Sequence, residues 1–251
     1  MMKYKILIFL LLIFNFSLAQ NDLDKNEIEN IQKLIKLFKT KNVDGISKIV
    51  NYPLSREYPI PEIKNEVDFK KRFNQIFDAK IINQISNSKI DQWSEVGWRG
   101  IMLDNGDLWM DTDGKISALN YQSAFEKNQK NSIIVNDKKN LFSSLKQYKS
   151  PTYKLTTKSY LIRIDELSNG KYRYASWKLG KKESTKPDLI LTNGEIQMDG
   201  SGGNHSIIFK KGEFVYTIYR GIIGEKDAPE IDLIVEQNKK VILHQGGKLI
   251  Q

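Results

Sequence analysis

A change of hydrophobic period part-way along the chain constrains its fold more than any other feature. From Asp24 to Lys41, apolar residues fall at Ile28, Ile31, Leu34, Ile35 and Phe38. That three-and-four spacing is one face of an α-helix. Asn26 followed by Glu29 reads as the capping pair at its start. Asn42-Val43-Asp44-Gly45 interrupts the pattern, and Ile46 to Val50 makes a second helical turn that Tyr52-Pro53 stops. A proline disfavours helical geometry in the residue before it. Pro59 and Pro61 keep the next stretch extended. Asn65 then caps a third helix carrying Phe69, Phe73, Ile76 and Phe77 on one side, with Asp68 in its first turn.

At Trp93 the period shortens. Trp98 to Leu103, Leu108 to Asp111 and Ile116 to Tyr121 are short strand-like runs, separated by segments containing Asn105-Gly106 and Asp113-Gly114. Tight hairpins favour such pairs because their central positions need positive φ. After Pro151 helical spacing vanishes. Tyr160 to Ile164, Lys171 to Trp177, Leu189 to Leu191, Ser206 to Phe209, Glu213 to Tyr219, Ile231 to Glu236 and Val241 to His244 read as strands. Asn169-Gly170, Asn193-Gly194, Lys211-Gly212 and Asn238-Lys239 read as the turns between them. The expectation is an α+β protein: helices packed on a curved antiparallel sheet over 20–125, a polar connector over 126–150 with one short helix at Lys138 to Gln147, and an all-β sandwich or barrel over 151–251.

Residues 1–19 read as a secretory signal. Lys3 and Lys5 give a basic start, Ile6 to Phe14 an apolar run, and Ser17-Leu18-Ala19 a small-residue cleavage site. The run is too short to span a bilayer comfortably. The mature chain is expected to be exported, periplasmic or extracellular, with no membrane span. It has no cysteine, so disulfides, thiol catalysis and thiolate metal sites are excluded. Its two histidines, His205 and His244, rule out a three-histidine zinc site. No cofactor and no metal is expected. The net charge of +9 comes from lysines scattered singly or paired beside turns, which solvates a surface rather than tracking a nucleic acid.

The helix from Glu27 to Phe38, the Asn42-Val43-Asp44-Gly45-Ile46 opening of a second helix, the Phe69 to Phe77 helix and the Trp98 to Tyr121 strands carry a resemblance. In order and spacing, over about 100 residues, the N-terminal half resembles the nuclear-transport-factor-like superfamily, the cone fold of ketosteroid isomerases and SnoaL-type proteins. Trp93 to Gly100 with Asp107-Leu108-Trp109 is also similar to uncharacterised exported bacterial proteins. The likeness implies a scaffold with a pocket. It implies no activity, because the acid and hydroxyl donor of the enzymatic members match no positions here.

Candidate ligand-binding residues are Trp93, Trp98 and Trp109, which could stack on a ring or sugar, and Arg56, whose planar fork could clamp a carboxylate or phosphate. On a continuous strand, Trp98, Gly100 and Met102 would share one face. The string Ser201-Gly202-Gly203-Asn204-His205 is a candidate interaction loop, since glycines expose backbone amides. It spells the motif letters of SGNH hydrolases, but contiguously, and such a stretch does not assemble a nucleophile, base and orienting group. No catalytic residue is assigned. The leading reading is a binding or interaction protein for a small molecule or an envelope partner. One alternative is an acid–base enzyme using Asp107 or Asp111 in a cone pocket. The other is an inhibitor of a cell-wall hydrolase, probing with the 201–205 loop.

Overall fold

A computed structural model describes residues 23–224 and 227–250 of the chain; the stretch 1–19, read above as a secretory signal, lies outside them. The protein is α+β. Four helices, α1 (Lys25–Lys39), α2 (Val43–Ser47), α3 (Glu66–Ile76) and α4 (Ala79–Ser86), precede a four-stranded antiparallel sheet. Its strands β1 (Trp93–Glu95), β2 (Ile101–Leu103), β3 (Leu108–Met110) and β4 (Ile116–Leu119) pair in sequence order. Helix α5 (Ala124–Asn140) follows. Eight strands then close an antiparallel barrel: β5 (Ser150–Thr157), β6 (Tyr160–Glu166), β7 (Tyr172–Lys178), β8 (Leu189–Met198), β9 (His205–Lys211), β10 (Phe214–Arg220), β11 (Ile231–Gln237) and β12 (Lys240–Leu249). Each strand pairs with its neighbour in the chain, and β12 closes on β5 through Gly247–Thr157 to Leu249–Leu155. That closure gives every barrel strand a neighbour on both sides.

The N-terminal unit is held by a filled interior. Phe38, Phe69, Phe73 and Phe77 are buried, with ring centroids 5.1–6.4 Å apart. Ile31, Leu34, Ile81 and Ile85 close one side and Ile101, Leu108 and Met110 the other. Each buried aliphatic or phenylalanine side chain contributes about 1.5–3 kcal/mol of transfer free energy. The helix ends follow capping chemistry. Asn65 caps α3, its Oδ1 accepting from Asp68 N–H at 3.0 Å. Asp24, not Asn26, caps α1: its carboxylate accepts Glu27 N–H and the Glu27 side chain accepts Asp24 N–H, both at 2.8 Å. The reciprocal box needs the residue directly before the helix, so the cap lies two positions earlier than predicted.

The barrel fills its own interior with Leu155, Ile162, Ile164, Tyr174, Ile207, Phe209, Ile218 and Leu233 from successive strands. Asn193-Gly194 was expected to turn the chain and instead lies within β8. Asn193 takes φ +61° at a register shift against β7, and Gly194 leaves the space that Phe209 occupies. Here the pair makes a bulge, not a hairpin.

The stretch 126–150, expected as a connector with a short helix at Lys138 to Gln147, is mostly helix α5, followed by a single turn at Ser143–Leu145. Ser123 and Glu126 form its capping box. The helix has no apolar stripe; apart from Ile134, which packs toward the Ala175 and Trp177 cluster, its attachment to the barrel is ionic. Arg163 on β6 reaches both carboxylate oxygens of Asp137 (3.1 and 2.7 Å) and that of Asp165 (2.8 Å), while Arg173 on β7 meets Asp165 at 2.6 Å. Tyr148 O–H donates to Asp137 at 2.6 Å, and its ring lies 4.9 Å from the Arg163 guanidinium. Leu145, Ala175 and Trp177 seal this outer face.

Candidate functional site

The seam between the N-terminal unit and one rim of the barrel brings together residues that are far apart in sequence. From the N-terminal side come Trp98, Arg99 and Trp109; from the barrel side come Ser201, Gly202 and Gly203, with Ile222 and Ile223 beside them. They border an open groove of about 670 Å³. Trp98 is 70 % exposed, Ile222 55 % and Ile223 43 %. Single exposed apolar side chains are ordinary, but a cluster of large ones on one recess marks an interaction surface.

Local chemistry explains each position. Trp98 sits on a 3₁₀ turn, Gly97–Arg99, and not on a strand. Gly97 and Gly100 take φ of +53° and +89°, which ends any continuous alternation before Ile101. The expectation that Trp98 and Met102 share a strand face is therefore corrected, and the turn lifts Trp98 outward. Gly100 can only be glycine: a Cβ there would lie 2.2 Å from the Met110 carbonyl oxygen. Trp109 stands on β3, half-buried, with its indole N–H donating to the Gly106 carbonyl at 3.0 Å. The Arg99 guanidinium lies 5.7 Å from its ring centroid, a cation–π contact that stiffens the groove floor.

The 201–205 loop is fastened rather than free. Asn204 Oδ1 accepts the N–H groups of Ile222 (2.7 Å) and Ile223 (2.9 Å), and its Nδ2 donates to the Ile223 carbonyl at 2.9 Å. One side chain thus binds the two rim loops together. A Cβ at Gly202 would lie 2.5 Å from Ile223 Cδ1 and 3.6 Å from the Trp98 ring, so glycine is what lets the loop approach the tryptophan. His205 turns the other way, into the barrel rim. Its Nδ1 lies 2.7 Å from the Gly203 carbonyl, and its Nε2 2.7 Å from the Tyr153 hydroxyl. A carbonyl only accepts, so Nδ1 carries a proton; in the neutral imidazole Nε2 then accepts from the Tyr153 hydroxyl. Burial pushes the Tyr153 phenol up, and the nearby charge of Arg220 partly offsets this.

Two expected ligand residues belong elsewhere. Trp93 is fully buried in the N-terminal core, its indole N–H donating to Ser88 Oγ at 3.0 Å. Arg56 is a clasp inside the protein. It grips Glu126 through two parallel bonds, Nε to Oε1 at 2.7 Å and an Nη to Oε2 at 2.6 Å, and also donates to the Leu119 and Tyr121 carbonyls. Both side chains are only 1 % exposed. The fork anticipated for a ligand carboxylate is occupied by a carboxylate of the chain itself.

Both acid–base candidates are hydrogen-bonded within the chain, and Asp111 also borders the groove beside Trp98 and Trp109. Asp107 accepts from Gln84 Nε2 at 2.9 Å, and Asp111 from Asn51 Nδ2 at 2.7 Å and Lys115 N–H at 2.8 Å. Among the described residues, no group of three or more histidine, aspartate or glutamate side chains is placed to hold a metal, and no helix is long and apolar enough to cross a membrane. Ile222, Ile223, Tyr153 and Arg220 were not anticipated. The signal for the first two was the apolar pair between Gly221 and Gly224, outside any strand pattern. Compared with known proteins, the chain matches no family model, no curated protein and no solved structure.

Proposed function

We propose that the protein is an exported, non-catalytic binding protein that captures a small apolar or cyclic ligand in the groove between its N-terminal unit and its barrel. The observation that supports this reading is the convergence of exposed Trp98, Ile222 and Ile223 on one recess whose walls are tied by Asn204. Ligand sites join apolar and aromatic walls to a few fixed polar groups, and a recess of this volume suits a small organic molecule. The order of helices and short strands suits a cone-type scaffold, here offering an outer rim, since its interior is packed with side chains. Export rests on the Met1 to Ala19 leader.

A titration with the neutral ring probe N-phenyl-1-naphthylamine tests the proposal, read by tryptophan quenching and probe emission. Trp98→Ala is expected to weaken binding roughly tenfold or more, the loss of a stacked aromatic surface, with an unchanged melting temperature. Equal affinity for the parent chain and Trp98→Ala would refute it.

A further inference from the structure

The geometry points to a second binding site at the rim of the barrel, one for a small organic anion: a carboxylic acid with an apolar body, its carboxylate on the Arg220 guanidinium and its body against Tyr172, Leu249 and Ile222. This goes beyond the groove and involves neither Trp98 nor Trp109.

The strand register puts Arg220 there. On β10, Ile218 faces the barrel core opposite Ile207 of β9, and Arg220, two residues on, stands opposite His205 and Ile231. Side chains two apart share a face, so Arg220 and His205 both turn inward where the core ends. Tyr153 of β5 and Tyr172 of β7 line the same rim cavity. Above them the segment 55–60 of the N-terminal unit forms a roof, leaving a cavity of about 410 Å³. The packed core below closes the barrel, so a ligand can enter only the rim.

The charges around this cavity single out Arg220. Glu57 is paired with Lys130, Glu166 with Lys149 at 2.6 Å, Lys154 with Glu183, and Arg56 with Glu126. Arg220 donates through one nitrogen to the Gly221 and Glu230 carbonyls, and among the described residues no carboxylate meets it. Two carbonyls orient a guanidinium without neutralising it. The remaining edge of the fork suits a bidentate carboxylate. The apolar walls select a ligand with a hydrocarbon body over an inorganic ion.

The test is a calorimetric titration of the full chain with 2-naphthoate, 2-naphthamide and octanoate. The acid is expected to bind about tenfold or more tightly than the isosteric amide, because only the acid forms charge-assisted hydrogen bonds. Octanoate against naphthoate reports whether the cavity takes aliphatic or aromatic acids. Arg220→Met should lose the preference for acid over amide, Arg220→Lys should keep part of it, and Trp98→Ala should leave naphthoate affinity unchanged. Should Arg220→Met fail to fold, the acid-to-amide ratio of the parent chain and of Arg220→Lys carries the test. Equal binding of acid and amide, no binding of either naphthoate or octanoate, or naphthoate binding lost in Trp98→Ala and kept in Arg220→Met would overturn the rim site. The groove reading, tested with the neutral probe, would stand or fall separately.

Discussion

Replacing Arg56 with alanine separates a structural clasp from a ligand clamp. The substitution deletes two bonds to Glu126 and the bonds to the Leu119 and Tyr121 carbonyls, and leaves a carboxylate with 1 % exposure facing no counter-charge. Breaking a buried pair by removing one partner costs about 3–5 kcal/mol. At 2–4 °C per kcal/mol for a chain of this size, the melting temperature should fall by roughly 6–20 °C. Arg56→Lys should fall between, since a point charge cannot span both carboxylate oxygens. The double variant R56M/E126L should recover most of the loss, because it removes the stranded charge along with its partner. Recovery stops short by about 1 kcal/mol, as Glu126 also closes the capping box with Ser123 at the start of α5. Thermal and urea melts followed by circular dichroism measure all four proteins. A melting temperature for Arg56→Ala within 2 °C of the parent, together with loss of ligand binding, would refute the reasoning and return Arg56 to the role of ligand clamp.

Asn204→Ala should release the Ile222–Ile223 loop at a cost of about 1–3 kcal/mol, seen as faster amide exchange at those two residues and weaker binding of the neutral probe. Gly194→Ala should destabilise by about 1–3 kcal/mol through overpacking, because the new Cβ would lie 2.3 Å from the Phe209 ring; adding Phe209→Leu should restore most of it. Burial pushes the Asp78 carboxyl up, but the Tyr121 hydroxyl and the Ile81, Ala124 and Lys80 N–H groups outweigh that and hold it below its ordinary 3.8. A depressed folded value means that its stabilisation is complete above about pH 4 and lost as the pH falls through the folded value. Urea melts between pH 2 and 6 should therefore show a shallower acid decline for Asp78→Asn than for the parent.

Periodicity carried the strands and the helices that have an apolar stripe. Ile31, Leu34 and Phe38 announced α1, and Asn169-Gly170 and Lys211-Gly212 announced real turns, because both signals are local. Helix α4 escaped because it is short, although Asp78 caps it with bonds to Lys80 and Ile81 N–H. Helix α5 escaped because its fastening to the barrel is mostly ionic, through Asp137 and Arg163, and leaves no stripe to read. Strand β5 carries the alternation of a strand in Tyr153 and Leu155, but only over a few residues and after a serine-proline pair that reads as a break. For the site, exposure was the illegible quantity. Three tryptophans lie close together in sequence, yet a core takes Trp93 while two positive-φ glycines push Trp98 into solvent. Arg56 reads identically whether its partner is a ligand or Glu126, 70 residues away. Only tertiary structure supplies that partner.

Gly202 walls the groove, Gly203 anchors His205 at the rim through its carbonyl, and Ile222 borders both recesses. Were both recesses occupied, this short, fastened stretch would stand between the two guests. Whatever factor the first imposes on the affinity of the second, the second must return to the first, making this stretch of backbone the natural place for negotiation between them.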